Sequence, residues 1–198
     1  MEINPSIFKA YDIRGVVEND LRPELVQLVG QAIATLYPQC QRVVVGRDGR
    51  LTSPELAEQL ITGLLAADVD VIDIGEVPTP VLYFATHHCQ TGSGLMITGS
   101  HNPPEYNGIK MVMAENTLFG DMIQDIYQCI IAGEFKQGEG QCETIDIMQA
   151  YIATITADIK LQRPLNIAID CGNGVAGPSA LKLFKALACK VTDLYCDV

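Results

Sequence analysis

Basic residues are scarce in this sequence: 13 Lys and Arg stand against 24 Asp and Glu, a net charge of −11. A nucleic-acid binder carries the opposite bias, so that class is set aside, and the acidic balance reads as solubility. Long hydrophobic runs are also missing. No apolar stretch approaches the roughly 18 residues of a membrane span. The start, Met1-Glu2-Ile3-Asn4-Pro5, has neither a basic nor an apolar leader region. No signal peptide is therefore visible, and the expectation is a soluble, cytoplasmic protein. No C-x-x-C pair occurs among Cys40, Cys89, Cys129, Cys142, Cys171, Cys189 and Cys196, and their number is odd. A disulfide framework or a zinc site would look different, so reduced, mostly buried thiols are expected.

What is present is a core. Hydrophobic residues make up 48% of 198, enough for one full domain and part of a second. Strand and helix signals alternate. Helices are expected over 23–37, 53–67, 79–88, 121–131, 145–161 and 178–188. The apolar β-branched runs 42–46, 69–74, 94–98, 109–113, 165–170 and 191–195 read as strands between them. Ser53-Pro54 and Thr79-Pro80 read as N-caps followed by Pro at the first helical position. Residues 133–143, rich in Gly, Gln and Glu, read as loop. Such alternation predicts an α/β fold: a three-layer α/β/α domain with a mixed sheet over 1–147, then the incomplete start of a second, similar α/β domain over 148–198. A weak internal repeat supports two units, since strand, Gly-containing loop, Pro-marked helix and strand recur around Pro54 and Pro178. Any two strand–helix–strand units would look equally alike.

The most informative stretch is Thr98-Gly99-Ser100-His101-Asn102-Pro103-Pro104-Glu105-Tyr106-Asn107-Gly108-Ile109-Lys110. A plain turn needs Gly, Asn and Pro, but not Ser beside His or a Lys entering the next strand. Open α/β sheets place ligands at strand C-termini, where Ser100 is expected. A hydrolase nucleophile is a poor fit, because Asn102 stands where G-x-S-x-G requires its second Gly. Extended neighbours also point to opposite faces, which makes His101 a poor base for Ser100. Two further stretches, Phe8–Gly15 and Val45–Arg50, bring Arg14, Arg47 and Arg50 into Gly-containing turns. Each arginine alone reads as solvated loop charge. Together with His101 and Lys110 they form a positive cluster in an acidic chain, suited to a phosphorylated substrate.

FKAYDIRG, VGRDGR and TGSHNPPEYNGIK, in this order, resemble the α-D-phosphohexomutase family, most closely its bifunctional phosphomannomutase/phosphoglucomutase branch. DCGNGVAG at 170–177 resembles the opening of that family's second domain. The resemblance implies an isomerase that interconverts hexose 1-phosphates and 6-phosphates through a phosphoserine at Ser100 and a hexose 1,6-bisphosphate. It implies Mg2+ on the phosphoserine, and His101 and Lys110 near the reacting hydroxyl. Tyr11, Arg14 and Arg47 match residues that position or neutralise phosphate, with Arg14 also in the catalytic set. AYDIRG points to mannose and glucose phosphates rather than glucosamine phosphate. The family's Asp-Gly-Asp-Gly-Asp magnesium loop and its sugar-specificity and distal phosphate loops are absent here. The remaining metal ligands are therefore expected beyond residue 198, and the chain alone is expected to be inactive.

Two other readings stay open. Gly172-Asn173-Gly174-Val175-Ala176-Gly177 matches the G-x-G-x-x-G dinucleotide fingerprint, with Asp193 about 20 residues on, as an NAD-dependent oxidoreductase would have. Against it, Asp170-Cys171 separates the apolar strand from the first Gly, and a carboxylate there would face the pyrophosphate. A non-catalytic binding domain is the other alternative.

Overall fold

In the computed structural model, which describes residues 2–198, two sheets form, each from its own part of the chain. The elements run β1 (Ile13–Val16), α1 (Pro23–Leu36), β2 (Arg42–Arg47), α2 (Ser53–Leu65), β3 (Asp70–Glu76), α3 (Thr79–His88), β4 (Gly94–Ile97), β5 (Tyr106–Met113) and β6 (Asn116–Thr117). They continue with α4 (Asp121–Ala132), β7 (Cys142–Thr144), α5 (Met148–Asp158), β8 (Asn166–Asp170), α6 (Ala176–Ala186) and β9 (Lys190–Leu194). The larger sheet has the order β1-β5-β4-β2-β3-β7, with β6 on β5. Strands β4, β2, β3 and β7 are parallel, while β5 runs antiparallel to β4 and β1 antiparallel to β5, so the sheet is mixed.

Period-2 alternation sorts the side chains. Val43 and Val45 of β2 enter a core shared with α1, α2 and α4, while Val44 enters a second core under α3 and the start of α5. Helices therefore cover both faces, which gives three layers. Helices α1 and α2 approach so closely that a Cβ on Gly30 would stand 2.6 Å from the Leu60 carbonyl, and one on Gly63 would overlap the Gln27 carbonyl.

Residues 165–198 do not enter the first sheet. Strands β8 and β9 pair only with each other, in parallel, and α6 covers one side of them. Helix α5 bridges the two parts, lying against α3 and α6. No helix among the described residues is long and apolar enough to cross a membrane.

Several expectations need correction. Phe8–Gly15, expected as a turn, holds strand β1, with Ile13 fully buried. Its apolar signal is one residue long, and its pairing with β5 is remote in sequence. Loop 133–143 ends in β7, an edge strand of exposed residues held by β3, so no local pattern marks it. Helix α5 is shorter than 145–161, beginning where the Asp146 carboxylate accepts the Met148 amide at 3.0 Å. Ser53 and Thr79 are not N-caps. The caps are Thr52 and Pro78, and neither makes a side-chain cap bond. The Ser53 hydroxyl donates instead to Asp48, at 2.6 Å.

Candidate active site

Strand β4 ends at Ile97, and the chain returns as β5 from Tyr106. The intervening loop is built from inside outward. Buried Asp48, just past β2, accepts the Gly99 amide at 3.1 Å, the Ser53 hydroxyl at 2.6 Å and the Arg50 amide at 3.1 Å. The fully buried Asn107 donates to Ser53 Oγ at 2.9 Å and Thr52 Oγ1 at 3.0 Å, and accepts the Gly108 amide at 2.9 Å. The N-terminus of α2 and the start of β5 are thereby tied to the loop's base.

The loop's outer half is held by Arg50. Its Nη1 donates to the carbonyls of Pro103 (2.7 Å) and Tyr106 (3.0 Å), and its Nη2 to those of Ser100 (3.1 Å) and Asn102 (2.7 Å). Its Nε lies 3.4 Å from Asp48 Oδ2. A Cβ on Gly99 would overlap this guanidinium, so the position tolerates no side chain while Arg50 is in place. Asn102 closes a tight turn by donating through its amide and its side chain to the Gly99 carbonyl, at 3.1 and 3.0 Å.

Ser100 stands exposed at the tip with φ +55°, in the left-handed region, where its amide donates to Thr98 Oγ1 at 2.9 Å. That backbone overturns one expectation. The Ser100–His101 pair is not extended, so the two side chains do not diverge; Ser100 Oγ and His101 Nδ1 are 3.2 Å apart. His101 is therefore within reach as a proton partner of Ser100.

The cationic residues fall into separate places. Thr98, Gly108 and Arg14 lie level across three strands: the Thr98 amide donates to the Gly108 carbonyl at 2.9 Å, and Arg14 is registered with Gly108. Lys110 is registered with Met96 of the α3-side core, and Arg14 alternates with core-facing Ile13, so Arg14 and Lys110 share the α3 face. They are diagonal neighbours on adjacent strands, within about 8 Å by backbone spacing. Arg14 is ion-paired with Asp12. Arg47 ends β2 but reaches toward Gly75 of β3, away from β4 and β5. The Nε atoms of Arg14 and Arg47 are buried without a partner, as is that of Arg22 remote from this loop, so this feature alone selects no site. Tyr11 is 76% exposed just before β1.

A cavity of about 580 Å³ opens beside Ser100. Thr98, Ser100 and Asn102 line one side, and the turn Gly172–Val175 lines the other. The two glycine-containing segments that the sequence singles out thus face each other. Within the turn, Asp170 Oδ1 accepts the Gly172 amide at 2.9 Å. The amide of Gly174, the glycine where a dinucleotide pyrophosphate would approach the backbone, is bonded to the Cys171 carbonyl at 2.8 Å. Among the described residues no group of three or more His, Cys, Asp or Glu could hold a metal ion. Asp12 and Asp48 are spent on Arg14 and on the loop base, so these residues do not form a magnesium site.

Sequence reading proposed Ser100, His101, Lys110 and the arginines as site residues, and placed Arg50 only among the charges. It missed Asp48 as the loop's anchor, and also Ser53 and Asn107. The sole signal was that Asp48-Gly49-Arg50 and Asn107-Gly108 sit in the same motifs; only the fold shows that their side chains converge.

Known proteins resemble this chain in sequence and fold. The family described as phosphoglucomutase/phosphomannomutase, alpha/beta/alpha domain I, matches residues 5–137. A phosphomannomutase/phosphoglucomutase of Pseudomonas aeruginosa is 48% identical over 195 residues, covering 98% of this chain and 42% of that protein. A phosphoglucomutase of Neisseria meningitidis is also 48% identical, covering 97% and 43% respectively. The crystal structure of a phosphoglucomutase/phosphomannomutase family protein from Burkholderia thailandensis superimposes with a TM-score of 0.95 at 46% identity, covering 100% of this chain and 45% of that one. The chain therefore spans less than half the length of the relatives it matches.

Proposed function

The chain belongs to the phosphoglucomutase/phosphomannomutase family, and from that premise we propose that it is part of a phosphohexomutase in which Ser100 carries the phosphoryl group. Residues 1–147 are the phosphoserine domain and 148–198 the start of the next. The Ser100 phosphate passes to the free hydroxyl of a hexose 1-phosphate or 6-phosphate. The hydroxyl loses its proton and the Ser100 Oγ–P bond breaks, giving a hexose 1,6-bisphosphate. The intermediate turns over and returns its other phosphate to Ser100, so one serine serves both ends of the sugar.

The observation that carries this reading is the presentation of Ser100. It is exposed at a cavity, fixed in left-handed backbone by a clamped loop, and in contact with His101 Nδ1. Phosphoryl transfer depends mainly on positioning and on neutralising charge on the phosphate oxygens. His101 is placed to exchange the proton, and Lys110 and Arg14 share one sheet face where their charges can act together. Tyr11 and Arg47 are proposed to contact the substrate phosphate. The resemblance implies Mg2+, but these residues form no site for it, and no step is assigned to it. Mannose and glucose phosphates are the proposed substrates, on the strength of the AYDIRG segment. The Gly174 amide, bonded to the Cys171 carbonyl, counts against the NAD-dependent alternative.

The test supplies the full-length protein with Mg2+, glucose 1-phosphate and a trace of glucose 1,6-bisphosphate, and follows glucose 6-phosphate. Turnover and a phosphate on Ser100, by intact mass and peptide mapping, are expected, and both are lost in Ser100→Ala. Full activity in Ser100→Ala refutes the role of Ser100. A higher kcat/KM for glucosamine 6-phosphate refutes the substrate assignment.

A further inference from the structure

Resting on the phosphoserine reading, we propose that Arg50 is a positioning residue of the phosphoryl shuttle: it sets the orientation of Ser100 and does not bind the substrate's phosphate. A guanidinium has five N–H donors in a rigid plane. Four of Arg50's are given to loop carbonyls, two on Nη1 to Pro103 and Tyr106 and two on Nη2 to Ser100 and Asn102, while Nε lies in ion-pair range of Asp48, 3.4 Å from Oδ2. No Nη donor is left for a substrate oxygen. Arg50 could bind one only by releasing the loop.

The loop needs such a partner because of its own sequence. Pro103 and Pro104 have no amide hydrogen, so this segment cannot form a hydrogen-bonded ladder of its own. The Asn102 carbonyl is then satisfied from outside, by Arg50, which also adds a second bond to the Pro103 carbonyl beside that of the Tyr106 amide at 3.1 Å. Asp48 and Arg50 act on opposite ends of the loop, the carboxylate on the Gly99 amide and the guanidinium on the carbonyls that follow.

The consequence is directional. In a trans peptide the carbonyl and the following N–H point to opposite sides. The Ser100 carbonyl is turned onto Arg50, so the next amide, that of His101, points away from the guanidinium. Arg50 and Ser100 both line the cavity, so the clamp is part of the wall that presents the serine. A nucleophile that must meet a sugar in two orientations gains from a backbone that does not shift when phosphate is added or removed. A misplacement of about 1 Å costs on the order of 100-fold in rate.

Lysine is the discriminating replacement. It keeps the charge beside Asp48 but offers three donors from a point, so it cannot span four carbonyls. In the full-length protein, Arg50→Lys is expected to lower kcat about 100-fold. KM for glucose 1-phosphate should stay within about threefold, because uniform substrate binding is untouched. Amide exchange should accelerate within residues 98–107 and remain unchanged in the helices. Arg50→Gln should show the same pattern more strongly. Unchanged kcat with a raised KM would make Arg50 a substrate ligand and overturn the proposal. Exchange accelerated throughout the protein would make Arg50 a general stabiliser and overturn it equally. A wild-type protein that neither turns over nor carries phosphate on Ser100 sinks the functional reading, and the positioning role with it. The exchange measurement then still reads the clamp, which is refuted if Arg50→Lys leaves residues 98–107 unchanged.

Discussion

Replacing Asn107 with alanine isolates the buried base of the serine loop. The side chain is fully buried and makes three hydrogen bonds, donating to Thr52 and Ser53 and accepting from the Gly108 amide. The three losses are unequal. Thr52 is half-buried, so water can replace its partner. Ser53 keeps its bond to Asp48. The Gly108 amide is buried and loses its side-chain acceptor, at a cost of about 1–3 kcal/mol. The void left by the amide group adds to this, so the expected destabilisation is about 2–4 kcal/mol. For a protein of this size each kcal/mol lowers Tm by about 2–4 °C, which predicts a fall of roughly 4–16 °C. Calorimetry or near-ultraviolet circular dichroism on wild type and Asn107→Ala measures it. Asn107→Asp is the control. It keeps the acceptor for Gly108 but sets a second carboxylate against the Ser53 proton already given to Asp48, so it should be at least as damaging at neutral pH. An Asn107→Ala protein within about 1 °C of wild type would refute the claim that this network holds the loop, since even the smallest term predicts more.

Two other outcomes are expected. In Gly63→Ala the added methyl collides with the Gln27 carbonyl across the α1–α2 contact. Helix propensity favours alanine by about 1 kcal/mol, but forcing the helices apart costs about 1–3 kcal/mol, so urea unfolding should show a net loss; a stabilised variant would contradict the contact. The second concerns residues 1–198 alone. With no metal cluster among the described residues, the purified chain should bind Mg2+ only weakly by calorimetry and show no mutase turnover under the assay given above. Turnover matching the full-length protein would show that the chain suffices.

Much of the architecture was legible because its causes are local. The 3.6-residue period of α1 and the β-branched runs Val43–Val45 and Val71–Ile72 arise from which side of one element meets the core, and that pattern is written along the chain. The serine loop, too, could be located from its composition, and its motifs tied it to a family. Elements without such a cause were missed. β1 contributes one buried isoleucine in four residues, and β7 is exposed throughout, so both exist only because β5 and β3 offer them hydrogen bonds.

Side-chain roles divide along the same line. Sequence assigned Ser100, His101 and Lys110 to a phosphate site by their chemical type and order. It could not tell an arginine that meets a ligand from one that holds a loop, because charge is a property of the residue, whereas the partner is a property of the fold. Arg50 and Ser100 are 50 positions apart, and Asn107 and Ser53 are 54 apart. Parallel β2 and β4 and antiparallel β5 bring these positions to one end of the sheet, where four guanidinium donors meet the loop. The left-handed turn at Ser100 lies within that clamped loop, and it reverses the expectation that neighbouring Ser100 and His101 must point apart. Sequence by itself determined most of the elements, their layers and the chemical character of the motif. Only the tertiary structure decided which charged side chains reach the serine loop and which lie elsewhere on the sheet, because that choice is set by long-range hydrogen bonds that no local pattern encodes.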